Sequence, residues 1–599
     1  MRPRRTEIVE ALGASFLTIV MLGALYLLPY LVRDLHMPLG FDVPYYTTLA
    51  NAASVERVSE LGTIRVASGL LVAELMRATG QNALTLIAWF PALVTACAGL
   101  AIAAMARAAL GLRSRWFPVI AFVSWAAFGV NTMVTLHLDN LLNSAMILAG
   151  FAAAVMVVAN GRGAAGAAIF FVVAGLTHWP FYVFAMAVYV MAVVAFTGPG
   201  LVRRLTGCGD DQGPLLTLLA PAALSGAVVA APFLLVSSTR RAGLHLHSPV
   251  LRVRFLHRLR QWFRYPAFPV AVVGAIGVAR TRVRPARRPA KRFFLILMTS
   301  WFGVSVLAAI AQMVGLPTAG ARIFSYLFPV TVFAALGIWW LAQLASAVRP
   351  RTAGRLLGAI VVLVGVGGFG LLTWSLEIPL RPRLLAGTVA QISAGADYAA
   401  HVAPARPIVF LVEHAPERSF VRASVRPAEL PRTGYRVGSP AAYLGSISSE
   451  PNGSVEPLAF VTQRLNVQAF AALGGVHPER VVAPGVFLLR GPVRLGPFPI
   501  RPAPSVSTSL GHLVWVVLLV AAILFMTGGG WSRWLLPADG PIAVAMAPAF
   551  GMAGLVLGAL AWTLAGLHLS RWAGLVPMVV VAAAGWALSL GRAGERTAA

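Results

Sequence analysis

Between Asn82 and Ala106 the chain carries no charged side chain, and long apolar runs of this kind recur along most of its length. A helix needs about 20 such residues to cross the hydrocarbon core, and a bilayer accepts only backbones that satisfy their own hydrogen bonds. The runs predict helices over 8–32, 82–106, 116–136, 141–159, 164–178, 180–197, 214–236, 266–279, 293–315, 326–347, 356–375, 512–529, 541–566 and 572–590. That is about fourteen spans by the length criterion, with 266–279 the shortest of them. Only 11% of the residues are charged, against about 25% in soluble proteins. Because the deficit is concentrated in the runs, spans explain it better than an oversized core.

Lysine and arginine number 48 against 20 acidic residues. Lys291 is the single lysine, so the excess is arginine, and the Arg and Ala bias reads as a high-GC bacterial genome. Most arginines flank the apolar runs, where they set orientation and meet anionic headgroups, so nucleic acid is not the expected partner. Cys97 lies in an apolar run and Cys208 in a polar loop, which leaves no disulfide framework and no thiolate metal site. Met1-Arg-Pro-Arg-Arg5 leads into a first run without a small-residue cleavage pattern, so the run is expected to be retained as a span.

Arginines at 107, 113, 115, 162, 203, 204, 280 to 292, 349, 351, 355 and 533 fall in alternate connections. The positive-inside rule then puts both termini in the cytoplasm of a bacterial plasma membrane. Three modules follow: 1–375, with a long first outside loop at 33–81; an extracytoplasmic domain at 376–511; and a three-helix segment at 512–599. In the first loop Ile64, Ala67, Leu71 and Leu75 recur at helical spacing, with Arg65, Glu74 and Arg77 between them. That pattern predicts an amphipathic helix lying on the membrane. The polar, Pro/Gly-rich stretch 376–511 contains the strand-like Ile408–Val412 and is long enough for a small α/β core.

Chemistry-bearing residues gather at the predicted outer ends of the spans. Asp42 follows the first span, flanked by Phe41, Tyr45 and Tyr46. A carboxylate at a partly dry surface suits a general base toward a hydroxyl; the plainer alternative is a turn capped by Asp. The next outside junction holds His137, Asp139 and Asn140. By its position Asp139 reads as the cap of the helix that follows. His178, in Thr177-His-Trp-Pro180, reads by itself as an interfacial anchor before a helix-starting proline. The segment 240–264 is rich in arginine although it falls outside, and Leu251, Phe255, Leu259 and Trp262 line one helical face. Its Arg240, Arg241 and Arg258 fit phosphate oxygens; generic headgroup contact, or an inverted topology, stays open. Arg322, the one charge in its outside connection, reads by itself as a snorkelling helix-end arginine.

Gly40-Phe-Asp-Val-Pro-Tyr-Tyr46 resembles the first outside loop of GT-C glycosyltransferases, which take sugars from polyprenyl phosphates. The likeness covers residues 1–375 by layout. It implies that Asp42 is the catalytic base or binds a divalent cation near the acceptor, that Asp139, with His137 beside it, is the second acid, pairing with Asp42 around the cation or orienting the acceptor, and that His178 and Arg322 contact phosphate. The expected function is a hexosyl- or pentosyltransferase, moving sugar by inverting displacement to a glycan, lipid or protein acceptor of the cell envelope. The competing classes are a transporter or flippase of lipid-linked precursors and a non-catalytic envelope scaffold. A transporter places ionisable groups near the bilayer midplane, whereas these span centres hold almost none.

Overall fold

The computed structural model describes residues 5–40, 42–58, 61, 63, 65–127, 138–205, 215–235, 266–314, 327–377, 380–382, 385–402, 408–411, 435–438, 458–462, 481–490, 499–500, 503, 505–507, 509–536 and 539–598. The helices are α1 (Arg5–Arg33), α2 (Val43–Ala53), α3 (Ala67–Thr79), α4 (Ala83–Leu110), α5 (Phe117–Ala126), α6 (Leu138–Asn160), α7 (Ala164–Leu205) and α8 (Leu215–Leu235). They continue with α9 (Ala267–Arg280), α10 (Arg288–Met313), α11 (Phe328–Ser346), α12 (Arg351–Glu377), α13 (Ala386–Val402), α14 (Leu510–Leu535), α15 (Gly540–Leu564) and α16 (Val576–Ala598). Among the described residues, 10 helices are long and apolar enough to cross a membrane. The protein is a multi-pass α-helical membrane protein.

Local chemistry marks the helix ends. Asn82 caps α4 by accepting from the Thr85 amide, and Asp539 does the same for α15 at Ile542. Gly80 (φ 69°) and Gly111 (φ 76°) end α3 and α4 in the left-handed conformation that glycine adopts without strain. α7 is two helices in one: His178 has non-helical φ −152° and ψ 85°. The rings of Phe171 and Tyr189 lie 5.1 Å apart. In one continuous helix their 18-residue separation would hold them about 27 Å apart, so the chain turns back at His178. This is the junction expected between the runs 164–178 and 180–197. The short α9 packs on α11, with an ideal Cβ on Gly274 only 1.8 Å from the Phe333 carbonyl oxygen. Only backbones without side chains approach so closely.

Two ends of the bundle are distinct. At one, Arg107 at the close of α4 bridges Glu7 of α1 and Asp539 before α15, and Arg287 donates to the Arg107 carbonyl. At the other lie the end of α1, α2, α3, the start of α6 and the reversal at His178, joined by the hydrogen bonds described below. The sheet domain leaves and returns at this second end. Arg33 donates to the Leu380 carbonyl, and the Val506 amide donates to the His36 carbonyl at 2.8 Å.

That domain has a five-stranded sheet of order β2-β1-β3-β5-β4, from β1 (Ile408–Leu411), β2 (Tyr435–Gly438), β3 (Leu458–Thr462), β4 (Val481–Ala483) and β5 (Val486–Arg490). β1 pairs parallel with both β2 and β3, and β5 pairs antiparallel with β3 and β4. α13 packs against β3, β4 and β5 and buries Val389, Ile392 and Tyr398, giving a small α/β layer. The strand-like Ile408 run is its β1.

One expectation is overturned. α3 does not lie on the membrane surface; it is enclosed by α2, α4, α15 and the turn before α16. Every residue from Ala67 to Leu75 is buried, including Glu74. The reason is packing from both sides: Leu71 and Leu75 join the main core, while Leu70 and Ala73 meet Ala559 and Leu569 of the C-terminal segment.

Candidate active site

Asp42 stands at the start of α2, with Pro44 in the first turn where its missing N–H costs nothing. The Asp42 side chain does not cap this helix. Its carbonyl accepts from the Tyr46 amide at 3.1 Å, and the residue is half-buried. One turn on, the Tyr46 hydroxyl accepts from the Asp139 amide at 3.2 Å. Tyr46 therefore bonds the main chain of both Asp42 and Asp139. Burial raises the Tyr46 phenol well above its ordinary range, and both carboxylates push it further in the same direction. Tyr45 stacks edge-on against Tyr46 at 5.3 Å. Its own hydroxyl is raised chiefly by burial, while a hydrogen bond with Thr63 and the charge of Arg65 oppose the rise.

Asp139 is the second residue of α6, so it is not the cap that was the alternative expectation. Its Oδ1 accepts from the Ser68 hydroxyl of α3, and its place at a helix N-terminus favours negative charge. Oδ2 of Asp139 and Oδ1 of Asn140 are buried and accept no hydrogen bond from any of the described residues. Asn143, one turn further along α6, donates to the carbonyls of Ala174 (2.6 Å) and His178 (3.2 Å). These bonds fix the reversal in α7 against the start of α6. The His178 ring is buried beside Phe181, with centroids 4.7 Å apart, so it is not an interfacial anchor.

The site thus joins Asp42, Asp139 and the His178 backbone. His137, Arg240, Arg241, Arg258 and Arg322 lie outside the described residues. Ser68 and Asn143 escaped the sequence reading. Asn143 had a signal, since it lies four residues after Asp139 and so on the same helical face; Ser68, 71 positions away, had none.

Among the described residues no three His, Cys, Asp or Glu side chains form a set able to hold a metal ion.

No protein-family model and no curated protein matches the chain. Three solved structures are similar over part of their fold. The arabinofuranosyltransferase AftD from Mycobacteria shares 15% identity at a TM-score of 0.43, over 78% of this chain and 35% of its own. ArnT from Cupriavidus metallidurans in the apo state shares 12% identity at a TM-score of 0.45, over 79% of this chain and 99% of its own. The Archaeoglobus fulgidus oligosaccharyltransferase in its apo form shares 14% identity at a TM-score of 0.40, over 69% and 64%. This chain thus spans about a third of the AftD length.

Proposed function

We propose that the chain is a membrane glycosyltransferase of the GT-C kind, taking a sugar from a polyprenyl-phosphate donor at the extracytoplasmic face of a bacterial plasma membrane. The observation that carries the reading is the meeting of Asp42 and Asp139 around Tyr46, which stands 93 positions from Asp139. In this reading Asp42 removes the proton from the acceptor hydroxyl. The oxygen then attacks the anomeric carbon from the face opposite the lipid phosphate, the carbon–phosphate-oxygen bond breaks, and configuration inverts. Asp139, held by Ser68 and Tyr46, keeps one carboxylate oxygen for the acceptor. His137 belongs beside it, and Arg240, Arg241, Arg258, Arg322 and His178 are the proposed partners of the departing phosphate.

A divalent cation, as the family resemblance implies, would take Asp42 and Asp139 as its protein ligands and neutralise phosphate charge when bound. Orientation rests on the arginine-rich opposite end facing the cytoplasm, with both termini, which sets the sheet domain of 376–511 outside. A transporter or flippase is less well supported, because the buried polar cluster sits at one end of the spans and not at mid-depth.

The test is transfer from a radiolabelled polyprenyl-phosphate sugar by the purified protein, across hexosyl and pentosyl donors and glycan, lipid and protein acceptors. Asp42→Asn is expected to lose at least about a hundredfold in rate, the lower range for general-base catalysis. Undiminished transfer by a well-folded Asp42→Asn protein removes Asp42 from the mechanism.

A further inference from the structure

At the end opposite Asp42, α9 closes at Arg280 and α10 begins at Arg288, joined by a connection that the structure holds rigidly. The backbone is extended at both ends of its first part: Thr281 has φ −63° and ψ 120°, and Arg284 has φ −56° and ψ 146°. In an extended chain alternate side chains share a side. Here Val283 packs on the core and the Thr281 hydroxyl donates to the Gly277 carbonyl, while Arg280, Arg282 and Arg284 are exposed. A 3-10 turn, Pro285–Arg287, follows. Arg287 clamps it to the end of α4 through the Arg107 carbonyl, and Lys291 ties it back to the carbonyls of Ala279 and Thr281 at 2.9 and 2.8 Å.

The nearby acids are already engaged. Arg107 takes Glu7 and Asp539, and Glu10 accepts from the Arg115 amide. Among the described residues no ion pair forms at Arg280, Arg282, Arg284 or Arg288. The result is a row of exposed arginines on alternate residues, with no carboxylate partner among the described residues.

The same helix says what covers the row. Val272 and Ile276 are 47% and 43% exposed and precede Arg280 at four-residue steps, so one face of α9 runs from exposed apolar side chains into the first arginine. A ligand fitting both parts has an acyl chain and a phosphate-bearing head. We infer that residues 280–288 form a binding site for anionic phospholipid, with the acyl chain along Val272 and Ile276 and the phosphodiester held by Arg280, Arg282 and Arg284. Guanidinium forks match phosphodiester oxygens in a way that neutral or zwitterionic heads do not reward equally. This site is remote from Asp42 and independent of the proposed transferase activity.

The test measures binding of fluorescent phosphatidylglycerol and phosphatidylcholine to the full-length protein in mild detergent, with inorganic phosphate as competitor. Wild type is expected to prefer phosphatidylglycerol. In R282Q/R284Q that preference falls roughly twenty-fold, at about fivefold for each cation near an anionic surface. Both side chains are exposed, so the variant is expected to melt as wild type does. Should it not, R282K/R284K, which keeps the charge and removes the fork, is expected to lower the preference by a smaller factor. An unchanged preference in the folded variant overturns the site. An equal loss in R349Q/R351Q also overturns it, by showing bulk charge to be responsible. Displacement of the lipid by millimolar phosphate overturns the lipid assignment in favour of a free-phosphate site.

Discussion

The hydroxyl of Ser68 donates to Oδ1 of Asp139 across 71 positions of sequence, within a region closed to solvent. This bond ties α3, in the first long loop, to the start of α6. It leaves Asp139 with one oxygen held and one buried without a donor among the described residues.

Ser68→Ala strands that held oxygen. A buried acceptor deprived of its donor costs about 1–3 kcal/mol, so thermal unfolding in detergent is expected at a lower temperature. Asp139→Asn already changes the same bond, so the double variant is expected to fall short of the sum of the two losses. Strict additivity in the double-mutant cycle would show that the two side chains do not act together.

Glu74 supplies a pH dependence. It is 1% exposed, and neither carboxylate oxygen has a partner among the described residues. Arg77, one turn away, donates instead to the Leu569 carbonyl at 2.9 Å and the Ser54 carbonyl at 3.3 Å. Burial pushes the Glu74 carboxyl from 4.5 up to about 8, with Arg77 pulling it back down. Between those values the folded protein binds the proton better than the unfolded chain does. The stabilisation is complete below pH 4.5 and is lost as pH rises through about 8. Unfolding midpoints followed from pH 6 to 9 are expected to decline in wild type and to stay flatter in Glu74→Gln. The same slope in both proteins would rule Glu74 out as its source.

Arg107 holds three segments at the other end. Its Nε reaches both Asp539 oxygens at 3.0 and 3.1 Å, and its terminal nitrogens reach the Leu112 carbonyl and Glu7. Arg107→Ala leaves a largely buried Asp539 without its cation, at a cost of about 3 kcal/mol or more. Arg107→Lys is expected to recover only part, since an ammonium cannot reproduce the fork. Equal melting of the lysine variant and wild type would refute the geometric argument.

Gly274→Ala tests the contact between α9 and α11. The added carbon would fall 1.8 Å from the Phe333 carbonyl oxygen and 2.7 Å from the Gly337 nitrogen, so the helices must separate. Gly303, with nothing within 4 Å of an added Cβ, serves as control. Gly303→Ala is expected to melt at or slightly above wild type, because alanine favours a helix interior by up to about 1 kcal/mol over glycine. Comparable melting of the two variants would contradict the close packing.

Much of this architecture was readable before any coordinates. Apolar runs locate spans because lipid forces each backbone to satisfy itself locally, and His178-Trp-Pro180 marked a break because proline resists a helix interior. The place of α3 was not readable. Leu71, Leu75 and Glu74 give the same periodicity on a membrane surface as in a protein interior, and only the later arrival of Ala559 and Leu569 decides between them. Asp42 and Asp139 stood out as acids at span ends. Their meeting at Tyr46, and the hold of Ser68, depend on distant elements converging, which no local spacing encodes.

Both stalks of the sheet domain are fastened within three residues of one another, through Arg33 and His36. The loop carrying Asp42 begins directly after that anchorage. A pull on the domain, by a glycan or a neighbouring protein, would therefore bear on the root of that loop and, through the Ser505 carbonyl held by Asn82 and Thr85, on the start of α4.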